Sequence, residues 1–251
     1  MSSGGHGQRG SPPVTLGTGV ARAGMDEEQP MDGLLRPTYF LDFDHPQVAR
    51  FVKETTRNAS SARERAVALF YAVRDGIRYD PYGISASRAA YRASAVLDSK
   101  SAYCIPKAVL LAASARATGI PARLGFADVR NHLASEKLLA RLGTDLFIYH
   151  GYVEMLLGGR WVKATPAFNV ELCRRFGVRP LEFDGRHDAL FHEYSVDGHR
   201  HMEYVAVRGA YEDLPYEEIM EAFAAQYGTA VLAASEREHD GLFDSGAARQ
   251  T

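Results

Sequence analysis

The stretch SAYCIPKAVLLAASARATGIPARL, from Ser101 to Leu124, constrains this chain more than any other. It reads as a small apolar helix running from about 105 to 118 and stopped by Gly119 and Pro121. Pro106 belongs in a first turn, because proline is tolerated there and penalised in a helix interior. Cys104 therefore stands at or just before the first helical residue. A helix N-terminus gathers unpaired N–H groups and the positive end of the macrodipole, which favours an anion such as a thiolate. A free cysteine ionises near pH ~8.5, and such a position is one that lowers the value. The backbone N–H of the same residue is also the type of donor that stabilises an oxyanion formed by attack of the sulfur on a carbonyl. The plainer reading is a small buried hydrophobe.

The rest of the chain divides by period. Asp44 followed by HPQVARFVKETT marks a helix start with a capping acid and an early proline. ARERAVALFYAVRDGIRYD is read as a second amphipathic helix with Ala66, Leu69, Phe70 and Val73 on one face. Residues 92–99 read as a connecting segment. After the cysteine helix the period changes: ARLGFADV, FIYHGYVEMLL, GRWVKATPAFN and HRHMEYVAV read as strands, with Gly158-Gly159 as a hairpin turn. A last helix falls at LPYEEIMEAFAAQYG. Helices segregated from an antiparallel sheet give an α+β class. We expect a disordered leader at 1–30, one folded domain at 31–235 and a flexible tail at 236–251.

Among 251 residues, 46% hydrophobic, the formal net charge of -2 gives no pull toward nucleic acid, and no apolar run approaches the ~18 residues of a membrane span. With no secretory signal evident, the chain is expected to be cytoplasmic. Cys104 and Cys173 are too few for a disulfide framework, and free thiols are expected.

A nucleophilic cysteine needs a base. Of nine histidines, His150 has the best context, on a strand where regular alternation puts it on one face with Tyr152 and Glu154 and opposite Tyr149, Gly151 and Val153. The bland alternative is a hydrogen-bonded core histidine.

Cys104 opening a helix that ends GIPARL, followed by HGYVEMLLGGRWVKATPAF, resembles the transglutaminase-like superfamily over roughly residues 60 to 170. The resemblance implies a papain-like α+β fold in which N-terminal helices and a nucleophile-bearing core helix pack on an antiparallel sheet. It implies Cys104 as nucleophile, His150 as general base and Trp161 as the strand aromatic. Where the family usually has aspartate before proline, this chain has Thr165 before Pro166. A threonine hydroxyl accepts a hydrogen bond from the ring but brings no negative charge. Either Thr165 orients the ring weakly, or Asn169 or an acid such as Asp184 substitutes, or the site is catalytically silent.

Other residues carry weaker signals. Asn131 and His132 follow the strand after the cysteine helix and are candidates for substrate binding, as are Tyr149, Phe168 and Asn169; turn chemistry and core packing are the competing roles. His199 and His201 share a strand face with Glu203, but spacing marks no further ligand and no metal site is expected. The run from Asp184 through His187, Asp188, His192 and Glu193 is a lid, the source of the missing acid, or a solvated connection. No phosphate loop or dinucleotide fingerprint is present, so no cofactor is expected. The expectation is a cysteine-dependent acyltransferase or amidohydrolase acting on an amide or ester, peptide or small molecule, through a thioester, with water or an amine as acceptor. The competing class is a silent binding module of the same fold.

Overall fold

The computed structural model describes residues 32–132, 134–191 and 202–233. The leader expected at 1–30, the tail at 236–251 and His192, Glu193, His199 and His201 lie outside the described residues. The rest is α+β, as the sequence pattern predicts, and one hydrophobic cluster runs through all of it.

Helix α1 (Pro46–Thr56) begins one residue later than the acid suggests. Its N-cap is His45, whose Nδ1 accepts the Gln47 N–H, and Pro46 follows in the first turn. Helix α2 (Ala62–Gly76) is capped by Ser61, whose hydroxyl accepts the Glu64 N–H at 3.2 Å, while the Glu64 carboxylate accepts the Ser60 N–H at 2.7 Å. Ala66, Leu69, Phe70 and Val73 are its buried face. Two short strands, β1 (Arg78–Tyr79) and β2 (Ser101–Ala102), then pair in parallel and bring the chain to the cysteine.

Between them lies α3 (Ala93–Ser99), where only a connection was expected. Its cap comes from far away: the Asp42 carboxylate accepts both the N–H and the hydroxyl of Ser94, and a local reading cannot see it.

Helix α4 (Cys104–Ala117) is the centre of the molecule, with every residue from Cys104 to Arg116 buried. Helices α1, α2 and α3 pack around it, and a sheet lies against it. Each Leu, Ile or Val enclosed there contributes roughly 1.5–3 kcal/mol. Its two buried charged residues donate to backbone carbonyls. The Lys107 ammonium donates to the carbonyls of Arg74 and Ile77 at the end of α2, and the Arg116 guanidinium to those of Arg36, Ala122 and Glu212. Burial lowers the Lys107 pKa to about 7.

The sheet is antiparallel, in the order β5-β4-β3-β6, with β3 (Ala122–Asn131), β4 (Leu146–Leu157), β5 (Arg160–Ala164) and β6 (Met202–Tyr211). Gly158 and Gly159, with φ of 59° and 78°, make the tight turn from β4 to β5. A helix not foreseen, α5 (Glu136–Leu142), joins β3 to β4. It is followed in the chain by α6 (Val170–Arg175), α7 (Tyr216–Tyr227) and α8 (Ala230–Ala233). Among the described residues no helix is long and apolar enough to cross a membrane.

Candidate active site

Cys104 is the first residue of α4, and its side chain is turned into the protein, with only 8% of the residue exposed. Strand β4 passes directly over this helix start. Gly151 faces it so closely that a Cβ at that position would stand 3.1 Å from the Ile105 Cα. A side chain at 151 would hold the strand off, so glycine is what lets β4 and α4 meet. His150, the preceding residue, is buried, and it lines with Cys104 a cavity of about 40 Å³.

The strand does not alternate regularly into His150. Ala127 pairs with His150 and Val129 with Phe147, so Asp128 stands opposite two residues, Ile148 and Tyr149. This is a β-bulge, and Tyr149 takes a left-handed backbone with φ of 54°. Such a conformation costs a non-glycine residue about 1–3 kcal/mol and persists only where its surroundings hold it. Here the Asp128 carboxylate accepts the Tyr149 N–H at 3.1 Å and two guanidinium N–H groups of Arg208 at 2.6 and 2.9 Å. The Arg208 guanidinium also lies 4.3 Å from the centre of the Tyr149 ring, and the Tyr149 hydroxyl donates to Glu218. The face alternation expected across Tyr149 is thus interrupted, and the bulge sets the entry into His150. Tyrosine is not a residue that favours this conformation, so the sequence carries no sign of it.

The electrostatics correct the expectation of a lowered thiol pKa. Burial pushes the Cys104 thiol up to about 11, although the backbone N–H groups of Gly151, Ile105 and Cys104 itself pull the other way. Burial alone pushes His150 down to about 3. A helix terminus is worth roughly 0.3–1 kcal/mol, up to about 2 when partly buried, whereas taking an ion out of water costs several. Desolvation wins, and the resting pair is a neutral thiol beside a neutral imidazole.

Thr165 lies just past the end of β5, beside the strand that carries His150, and is 1% exposed. Its N–H donates to the Ala189 carbonyl. Its hydroxyl sits close enough to Tyr204 to favour that phenol's ionised form, yet no described group completes a hydrogen bond to it; the same holds for His150 Nε2. The other residues proposed for the acid's place are engaged elsewhere. Asn169 Oδ1 accepts the Tyr79 N–H at 3.2 Å, and Asp184 is half-exposed, accepting the N–H groups of Arg186 and His187 and pairing with the His187 ring.

Phe168 reaches the site indirectly: its ring packs 4.7 Å from Phe191, which packs 4.9 Å from the His150 ring. Asn131 ends β3, its N–H bound to the Asp145 carbonyl, and His132 is exposed beside Glu203. Neither these two nor Tyr149 lines the cavity at Cys104. The wall residues missed from sequence include Tyr79, Tyr103, Phe147, Met202, Phe223 and Tyr227, which come from five separated segments. Aromatic residues inside apolar segments read simply as core. Both cysteines are free thiols; Cys173, on α6, is buried, which pushes its thiol up to about 11.

The model of the Transglutaminase-like superfamily matches residues 49–166. None of the curated proteins matches the chain in sequence. Among solved structures, it is similar to one described as "a Putative Cysteine Protease from Cytophaga hutchinsonii", with 19% identity and a TM-score of 0.41 over 57% of this chain and 43% of that one. It is also similar to "a putative protease from Parabacteroides distasonis", with 20% identity and a TM-score of 0.34 over 53% of this chain and 26% of that one. The chain thus spans less than half the length of either structure. Residues 49–166, the segment that holds Cys104, His150 and Thr165, are thus the part of the chain that is similar to the transglutaminase-like superfamily.

Proposed function

We propose that this protein is a cysteine-dependent acyl-transfer enzyme, an acyltransferase or amidohydrolase working through a thioester on Cys104. The observation that carries the reading is a thiol at the first residue of a buried helix, sharing a cavity with a buried imidazole whose Nε2 no described group occupies.

The neutral resting pair sets the order of events. As Cys104 Sγ attacks an amide or ester carbonyl, its proton passes to His150 during bond formation. The oxyanion is met by backbone N–H groups at the start of α4, that of Cys104 among them. The imidazolium then gives its proton to the leaving group, the carbonyl–heteroatom bond breaks, and the acyl group remains on sulfur. Water or an amine, deprotonated by His150, then attacks the thioester carbonyl, the carbon–sulfur bond breaks to release the acid or amide, and the imidazolium returns its proton to the departing Cys104 thiolate. Without a carboxylate at position 165, no fixed negative charge is available there to stabilise the imidazolium.

A second reading, a silent binding module, is favoured by that same missing charge and by a thiol held protonated. One experiment separates them. The protein is mixed with p-nitrophenyl acetate and its intact mass followed, with Cys104→Ala and His150→Ala in parallel. The enzyme reading expects one acetyl group on Cys104, formed faster than on a small free thiol at the same pH and lost with time, and a marked slowing in His150→Ala. Acetylation no faster than the free thiol, or insensitive to His150, supports the silent module.

A further inference from the structure

The cavity beside Cys104 has a chemistry of its own, and from it we infer an acyl subsite for a short, uncharged, apolar acyl group. The inference rests on the acyl-transfer reading and adds the substrate class. Apart from Cys104 and His150, the described residues of its wall are aromatic or aliphatic, and none carries a charge. They include Tyr103, Phe147, Met202, Phe223 and Tyr227.

The hydroxyls of two of these tyrosines are already used. That of Tyr103 donates to Tyr91, and that of Tyr227 accepts the Ile148 N–H and donates to the Leu146 carbonyl. Both hydroxyls are therefore already engaged by other groups of the protein. A carboxylate or ammonium entering would lose its water and meet no described counter-charge, whereas a methyl or methylene loses only unfavourable hydration.

Size sets the second limit. About 40 Å³ accommodates a few heavy atoms at most, by the ~10–15 Å³ that a single water requires on this measure. The lining on several sides decides which half of the substrate goes there. Walls come from the loop after β1, from α5, β4, β6 and α7, so a group that must depart in the first step is poorly placed inside. The acyl group stays on sulfur through that step and is the part such a pocket serves. Acetyl to butyryl fits this description; long acyl chains and dicarboxylic half-acids do not.

The test uses the full chain and p-nitrophenyl esters of acetic, butyric, octanoic and succinic acids, the last as the charged half-acid. Rates of Cys104 acylation are read by p-nitrophenol release and intact mass, each divided by the rate with a small free thiol. The expected result is that acetyl or butyryl exceeds both octanoyl and succinyl by about tenfold or more, the scale on which an apolar pocket discriminates. Phe147→Ala should shift the preference toward octanoyl, and Phe223→Leu, a milder enlargement that keeps the core filled, should move it the same way. Acylation of Cys104 with equal normalised rates across the series overturns the subsite and leaves the acyl-transfer reading standing. No acylation by any ester overturns both.

Discussion

Gly151 touches Ile105 at the point where β4 crosses the start of α4, and a Cβ on Gly151 would meet the Ile105 Cα at 3.1 Å. Backbone stands on both sides of that contact, so little can yield except the spacing between strand and helix. Gly151→Ala is expected to cost about 1–3 kcal/mol, the usual price of overpacking, and to slow Cys104 acylation, because the Gly151 N–H that favours the thiolate moves away with the strand. Urea unfolding and the p-nitrophenyl acetate reaction check the two parts. A variant with unchanged stability and acylation would show that the contact relaxes freely.

Asp128 is expected to act on the site through Tyr149. Its carboxylate holds the left-handed Tyr149 by the N–H and neutralises Arg208. Asp128→Asn keeps an oxygen for the Tyr149 N–H, while Asp128→Ala removes both functions. Both variants should lose stability, the alanine by roughly 3–5 kcal/mol where an ion pair is broken in a buried setting and less to the extent that Arg208 reaches water. Acylation of Cys104 should fall more in Asp128→Ala than in Asp128→Asn. Equal losses in the two would assign Asp128 to stability alone.

His150 should make the fold acid-sensitive. Its folded pKa, near 3, lies below the ~6.5 of an unfolded histidine, so between these values the unfolded chain binds a proton that the folded one refuses. The contribution is complete above pH ~6.5 and is lost as pH falls toward 3, at up to about 1.4 kcal/mol per pH unit. Carboxylates such as Asp75, whose pKa is also lowered, add their own acid loss, so the relevant quantity is a difference in slopes. Urea midpoints of the wild type and His150→Gln across this range should diverge least at low pH, with the shallower dependence in the variant. Parallel slopes would mean that His150 titrates normally in the folded protein.

The sequence exposed what depends on local pattern and hid what depends on distant partners. Cys104, Pro106 and Gly119 bracket a helix because proline and glycine act within a turn, and the observed α4 begins and ends within a residue of that reading. Gly158-Gly159 marks its hairpin for the same reason. Helix α3 went unread because its cap is Asp42, some fifty residues earlier, and the bulge at Tyr149 because Asp128 and Arg208 create it from neighbouring strands. The sign of the Cys104 shift was misjudged on similar grounds. A helix N-terminus is visible in one dimension, while the depth at which it is buried is not.

Thr165 is where the chemistry of this site is most open to change. The residue is buried just past the end of β5, and its hydroxyl, like His150 Nε2, has no completed hydrogen bond among the described residues. Thr165→Asp would set an acid where the family usually has one. A carboxylate there costs several kcal/mol of desolvation on its own, and only formation of the imidazolium offsets it. Ionised, it would raise the His150 pKa and, through the imidazolium, lower that of Cys104. Alkylation of Cys104 by iodoacetamide, followed by mass spectrometry from pH 6 upward, should then be at least about tenfold faster near neutrality than in the wild type, a difference of ~1.4 kcal/mol. In the wild type the rate should keep rising toward pH 11 as the raised thiol ionises. Thr165→Asn, which supplies an acceptor without charge, should resemble the wild type. If Thr165→Asp instead loses stability with no gain in reactivity, the carboxyl stays protonated, and the charge usual in the family cannot be restored by this substitution alone.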